Sequence, residues 1–119
     1  MARIMVVDDE PDTVKLMSFI LKSEGYQIST AYDGKECLKK LERERPDLVL
    51  LDIMMPGMSG WDVFEKIKKK HKKLKVAFVS VVEISPERKQ ALVNDGLTDY
   101  INKPFTKTEL LERVKSILS

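Results

Sequence analysis

Five side chains able to do chemistry each stand at the end of a short apolar run. Asp8 and Asp9 follow IMVV, Asp52 follows LVLL, Ser80 follows VAFV, and Lys103 lies just beyond Tyr100-Ile101. Three carboxylates gathered in one crevice repel each other, and such a cluster stays ionised at neutral pH only when a cation joins it. Hard oxygen ligands favour Mg²⁺ or Ca²⁺ over zinc, since no cysteine or second histidine stands nearby. Mg²⁺ usually takes one or two carboxylates, several waters and a phosphate oxygen. Lys103 adds a positive charge and Ser80 a hydroxyl donor. Together they make a phosphoryl-transfer site with an aspartate as nucleophile.

That chemistry needs one fold to bring the five together. The apolar runs are Ile4 to Val7, a weaker Gln27 to Ala31, Leu48 to Leu51, Val76 to Val79 and the short Tyr100-Ile101. Three of them are continuously apolar, as central parallel strands covered on both faces must be. Helix signals alternate with the runs. Pro11 opens the first helix, Val14, Met17 and Leu21 form its stripe, and Gly25 stops it. Asp33 caps the second, which carries Cys37, Leu38 and Leu41, and Pro46 bars its extension. Ser59-Gly60 precedes a third with Val63, Phe64 and Ile67, and Ser85-Pro86 begins a fourth that ends at Gly96. Thr106 with Glu109 makes a capping box for the last helix.

Five strand-helix units predict an α/β fold, a doubly wound five-stranded parallel sheet with five helices, and the flavodoxin-like order 2-1-3-4-5 is the arrangement expected for it. Ligands in such sheets bind beyond the carboxyl ends of the strands, where the strand order reverses. Asp8, Asp9 and Asp52 are expected there, between the first and third strands, with Ser80 and Lys103 on the same rim.

Length and composition narrow the function classes. The 119 residues suit one domain over 1–119, and 43% hydrophobic with 34% charged residues is an ordinary globular balance. A net charge of +2 gives no bulk attraction to nucleic acid or membrane. No apolar run is long enough to span a bilayer, and the N-terminus has no secretory pattern. Cys37 has no internal disulfide partner, so a cytoplasmic location is expected. The basic run from Lys66 to Lys75 lacks interleaved aromatics and is read as a solvated helix end, so no direct nucleic-acid contact is expected.

The sequence resembles the receiver domains of two-component response regulators, in extent the stand-alone chemotaxis type. The resemblance rests on VVDDEP at 6–11, LVLLDIMMPGMSG at 48–60, FVSV at 78–81 and DYINKPF at 99–105. Each fragment alone is weak, but all four in order are specific. The resemblance implies that Asp52 is the phosphoacceptor, with Asp9 a direct Mg²⁺ ligand, Asp8 a ligand through water, and the Met54 carbonyl completing the protein ligands. It also implies that Lys103 pairs with phosphoryl oxygens, Ser80 is the switch hydroxyl, Tyr100 is the aromatic that reports the switch, and the bond before Pro104 is cis. The implied donor is a histidine kinase or phosphotransfer protein, and the implied target a downstream effector protein or domain.

Several departures stand out. Val81 follows the switch hydroxyl where a small residue is common, and Met54 and Val82 are apolar at positions that tune dephosphorylation in such domains. Thr98 stands where many relatives have an acidic residue.

Plainer readings compete: Asp8 and Asp9 as helix caps, Ser80 as a strand-end hydroxyl, Tyr100 as a strand side chain. Cys37 is expected to be packed and His71 solvated. Three function classes follow. The leading one is a phosphorylation-dependent switch, no enzyme beyond its own phosphorylation and dephosphorylation. A phosphatase resembling the haloacid-dehalogenase group would want a second Asp two residues after the first, where Met54 stands. A phosphorylation-independent docking module would lack Asp52, Asp9 or Lys103, and all three are present.

Overall fold

The computed structural model describes residues 1–119. Five strands alternate with five helices: β1 (Arg3–Val7), α1 (Pro11–Ser23), β2 (Gln27–Ala31), α2 (Gly34–Leu41), β3 (Leu48–Leu51), α3 (Gly60–Lys70), β4 (Lys75–Ser80), α4 (Pro86–Asn94), β5 (Asp99–Asn102) and α5 (Lys107–Leu118). The strands form one parallel sheet in the order β2-β1-β3-β4-β5, as expected from the sequence. Helices cover both faces, and this is why β1, β3 and β4 are almost wholly apolar.

Strand ends extend past the apolar runs. Arg3 pairs with Gln27, Leu48 with Lys75 and Ala77 with Asp99, so ladder hydrogen bonds recruit polar residues that hydropathy leaves out. Two cores result. Met5, Val49, Phe78 and Tyr100 join α2, α3 and α4 on one face. Ile4, Leu50, Val79 and Ile101 join α1 and α5 on the other. Neighbouring strand residues thus serve opposite cores.

The predicted caps are present. Asp33, Ser59, Ser85 and Thr106 each accept a hydrogen bond from the backbone of the helix they precede, and Thr106 with Glu109 completes the capping box. Helix α2 ends at Leu41, well before Pro46, because backbone bonds from Glu42 and Arg43 tighten the chain there. Gly25 and Gly96 adopt φ of +91° and +104°, the left-handed geometry that ends α1 and α4 at little steric cost. Cys37 is fully buried, and burial pushes its thiol up to about 12. No helix is long and apolar enough to cross a membrane.

Candidate functional site

The parallel ladder places the site residues. It runs one residue past each central strand: the Asp8 amide donates to the Ala31 carbonyl at 3.1 Å, and the Asp52 amide to the Val7 carbonyl at 2.9 Å. Across the sheet, the Lys103 amide donates to the Ser80 carbonyl at 2.8 Å. All five candidate positions therefore meet at the carboxyl edge. The Lys103–Pro104 bond is cis, as the resemblance implies.

Oxygen atoms of Asp8, Asp9 and Asp52 lie within 4.8 Å of one another. Asp8 is 2% and Asp52 6% exposed, while Asp9 is half-buried. The plain helix-cap reading fails, since Glu10 occupies the cap position of α1 with no side-chain cap bond. Asp8 instead accepts from the Glu10 amide at 3.0 Å and from Lys103 Nζ at 2.6 Å. Lys103 Nζ stands 3.7 Å from Asp52 Oδ2, so it favours Asp8 over Asp52. Burial raises the Asp52 pKa above the usual carboxylate value; Lys103 opposes this, and Asp8 adds to it. The Ile53 amide donates to Asp52 Oδ1 at 2.8 Å and fixes the carboxylate rotamer. Three hard carboxylates at this spacing, short of positive charge, fit an oxygen-loving divalent cation of Mg²⁺ type. Met54 follows on the same loop, with an exposed side chain.

Ser80 is completely buried, and its Oγ accepts from the Val82 amide at 3.2 Å. Tyr100 is 4% exposed, more deeply inside than a half-buried strand position, and its hydroxyl donates to the Val82 carbonyl. Ser80 and Tyr100 thus hold the same residue of the β4–α4 loop from two sides. Burial raises the Tyr100 pKa above its ordinary value.

Two contributors escaped the sequence reading. Gly60 begins α3, as Ser59-Gly60 leads one to expect, and in addition its amide donates to the Ile53 carbonyl at 2.7 Å, while a Cβ there would sit 2.2 Å from the Asp52 carbonyl oxygen. Only glycine lets α3 close against the loop that carries Asp52. Arg113 holds Asp99 through two hydrogen bonds of 2.7 Å and also reaches the Tyr100 carbonyl at 2.9 Å. No spacing rule marks such a pair across two elements; an acidic residue before Tyr100 was the sole hint.

The model of the response regulator receiver domain matches residues 4–115. The chain belongs to this family. Receiver domains of this kind are the phosphoacceptor switches of two-component systems. The probable transcriptional regulatory protein TcrX of Mycobacterium tuberculosis is 37% identical over 115 residues, covering 97% of this chain and 49% of TcrX. The chain thus spans about half the length of that relative. The response regulator TrrA of Thermotoga maritima, solved in complex with Mg²⁺ and BeF, superposes with a TM-score of 0.86 at 42% identity, covering 99% of this chain and all of that one. The chemotaxis response regulator CheY4 of Vibrio cholerae gives a TM-score of 0.90 at 32% identity, with 99% of each chain covered.

Proposed function

We propose that Asp52 is the phosphoacceptor of this receiver domain, taking a phosphoryl group from a histidine kinase or phosphotransfer protein in a Mg²⁺-dependent reaction. The carrying observation is the convergence of Asp8, Asp9 and Asp52 within 4.8 Å beside Lys103. Asp8, Asp9, Asp52 and the Met54 carbonyl would hold the ion, which when bound neutralises charge on the transferring group. TrrA, solved with Mg²⁺ and BeF, supports the choice of metal.

An Asp52 oxygen forms the new bond to phosphorus as the phosphorus–nitrogen bond of a phosphohistidine breaks, the electron pair leaving with the imidazole. Lys103, now leaning on Asp8, pairs with phosphoryl oxygens as charge builds near Asp52. The Ser80 hydroxyl turns to donate to the same oxygens and gives up its bond to the Val82 amide. Tyr100, bonded to the carbonyl of that residue, senses the shift, and the β4–α4 loop and α4 settle into a second arrangement. An effector that binds the two arrangements unequally reads the signal.

Residues 1–119 act as one receiver of the stand-alone chemotaxis type, in the cytoplasm and without direct contact to nucleic acid or membrane. The likeness to the chemotaxis response regulator CheY4, at 32% identity, supports the chemotaxis-type part of this reading. TcrX, about twice as long, favours a second reading in which the domain governs an attached effector. Incubation with acetyl phosphate and Mg²⁺ is expected to add one phosphoryl group by intact mass, and Asp52→Asn to abolish it. Equal labelling of the variant contradicts the assignment.

A further inference from the structure

We infer that the groove between α3 and α4, with the cationic surface running from it, is a docking site for a protein segment that carries acidic residues around one large apolar side chain. The groove encloses about 480 Å³, and Trp61, Phe64 and Leu92 give it an apolar floor. Lys69 and Lys72 line it and also line a second concavity of about 490 Å³, which holds Arg45, Lys70 and Lys73 and no acidic residue. The second concavity is bounded by Pro46 and Leu74, which precede β3 and β4. It therefore lies at the pole opposite Asp52, and the Asp52 crevice does not account for it.

The fold consumes only part of this basic run. Lys68 Nζ donates to the Leu74 carbonyl at 2.5 Å and Lys75 Nζ to the Ile117 carbonyl at 2.9 Å, so these two lysines close chain ends rather than stand in solvent. Lys69 and Lys70 each meet one glutamate, Glu65 at 3.7 Å and Glu42 at 4.0 Å, in exposed pairs of small energetic weight. Arg45, Lys72 and Lys73 pair with no carboxylate. Within the groove, Arg88 lies 5.0 Å over the Trp61 ring, a cation held at the apolar floor.

Charge complementarity selects the occupant. Cations around an apolar notch suit a segment whose apolar anchor enters the groove while its carboxylates meet Lys72 and Lys73. A nucleic-acid backbone fits less well, because Glu65 and Asp95 stand on the groove wall and the second, more cationic concavity carries no Trp, Tyr or Phe on which bases could stack.

The chain has one tryptophan, so Trp61 emission reads occupancy directly. The probe is a short synthetic peptide of Asp and Glu around a central Phe. Titration into the full chain should give a saturable change in Trp61 emission. Lys72→Glu with Lys73→Glu, both exposed and unpaired, should weaken binding about tenfold or more. Replacing the peptide's Phe by Ala should weaken it several-fold, and circular dichroism should confirm that the double variant is folded. The inference is overturned if the peptide produces no saturable change, if the folded double variant binds equally well, or if single-stranded DNA of equal charge binds more tightly than the peptide.

Discussion

Tyr100 and Ile101 adjoin on β5 and face opposite sides of the sheet, and the helices above them are anchored to unequal depth. On the Ile101 side, α5 buries Leu110, Val114 and Ile117, carries a capping box, and is tied to β5 by Arg113. On the Tyr100 side, α4 buries Leu92 alone, and Val93 is 41% exposed. Each fully buried aliphatic side chain contributes about 1.5–3 kcal/mol, so α5 holds to the sheet by several kcal/mol more than α4. Helices with few buried contacts open locally well below the global unfolding free energy. The weakly held helix is also the one whose preceding loop carries Val82, gripped by Ser80 and Tyr100. On the proposed switch, α4 and its loop are the element that moves and α5 is the frame against which it moves.

The largest test of this contrast is truncation in each helix. Leu110→Ala should lower global stability by about 2–5 kcal/mol in a urea melt, because its site is fully buried in the α1/α5 core. Leu92→Ala removes the same atoms yet should cost clearly less globally. Its signature is faster amide exchange confined to α4. Equal global losses with no local exchange in α4 would erase the distinction.

The tie between Arg113 and Asp99 gives a smaller effect with a definite pH sign. Burial alone would raise Asp99, but the Arg113 hydrogen bonds, the Tyr100 amide and nearby positive charge outweigh it and leave the carboxyl below its usual value. A depressed carboxylate contributes stability that is present above its unfolded pKa and is lost as pH falls through the folded value. Solvent screens the pair, since the Arg113 side chain is 41% exposed, so Arg113→Ala should cost about 1 kcal/mol near neutrality. The cost should shrink as melts are repeated at pH values below the ordinary carboxylate range. A cost that grows on acidification would show that Asp99 is not held by Arg113.

The caps are of similar size. Ser85→Ala and Thr106→Ala each remove one helix-capping acceptor, worth about 1 kcal/mol. The Thr106 loss should appear in global melting, whereas the Ser85 loss should appear mainly as fraying of α4 by amide exchange. The reverse pattern would make α5 the looser helix.

How much of this was legible in the sequence depends on whether one element or several carry the feature. The alternation of strands and helices and the shared rim of Asp8, Asp9, Asp52, Ser80 and Lys103 followed from apolar runs ending in polar residues, and the helix starts from Asp33, Ser59, Ser85 and Thr106, each a property of one segment at a time. The grip of Arg113 on Asp99, the close approach of Gly60 to the Asp52 carbonyl, and the preference of Lys103 for Asp8 each depend on two elements meeting. So does the edge-on run of rings from Tyr100 through Phe78 to Trp61, with centroids 6.0 and 5.1 Å apart. The basic run by itself predicts a solvated face, yet Lys68 and Lys75 donate to the Leu74 and Ile117 carbonyls, partners that the linear pattern does not reveal.

The central claim is that a phosphoryl group on Asp52 resets α4 and its loop while α5 stays fixed. Amide hydrogen exchange of the full chain, with Mg²⁺ alone and with Mg²⁺ plus beryllofluoride as a phosphoryl mimic, tests it most directly. The account predicts altered exchange from Val81 through α4 and at Tyr100, with α5 unchanged. Change confined to the neighbours of Asp52, or equal change in α4 and α5, would contradict it.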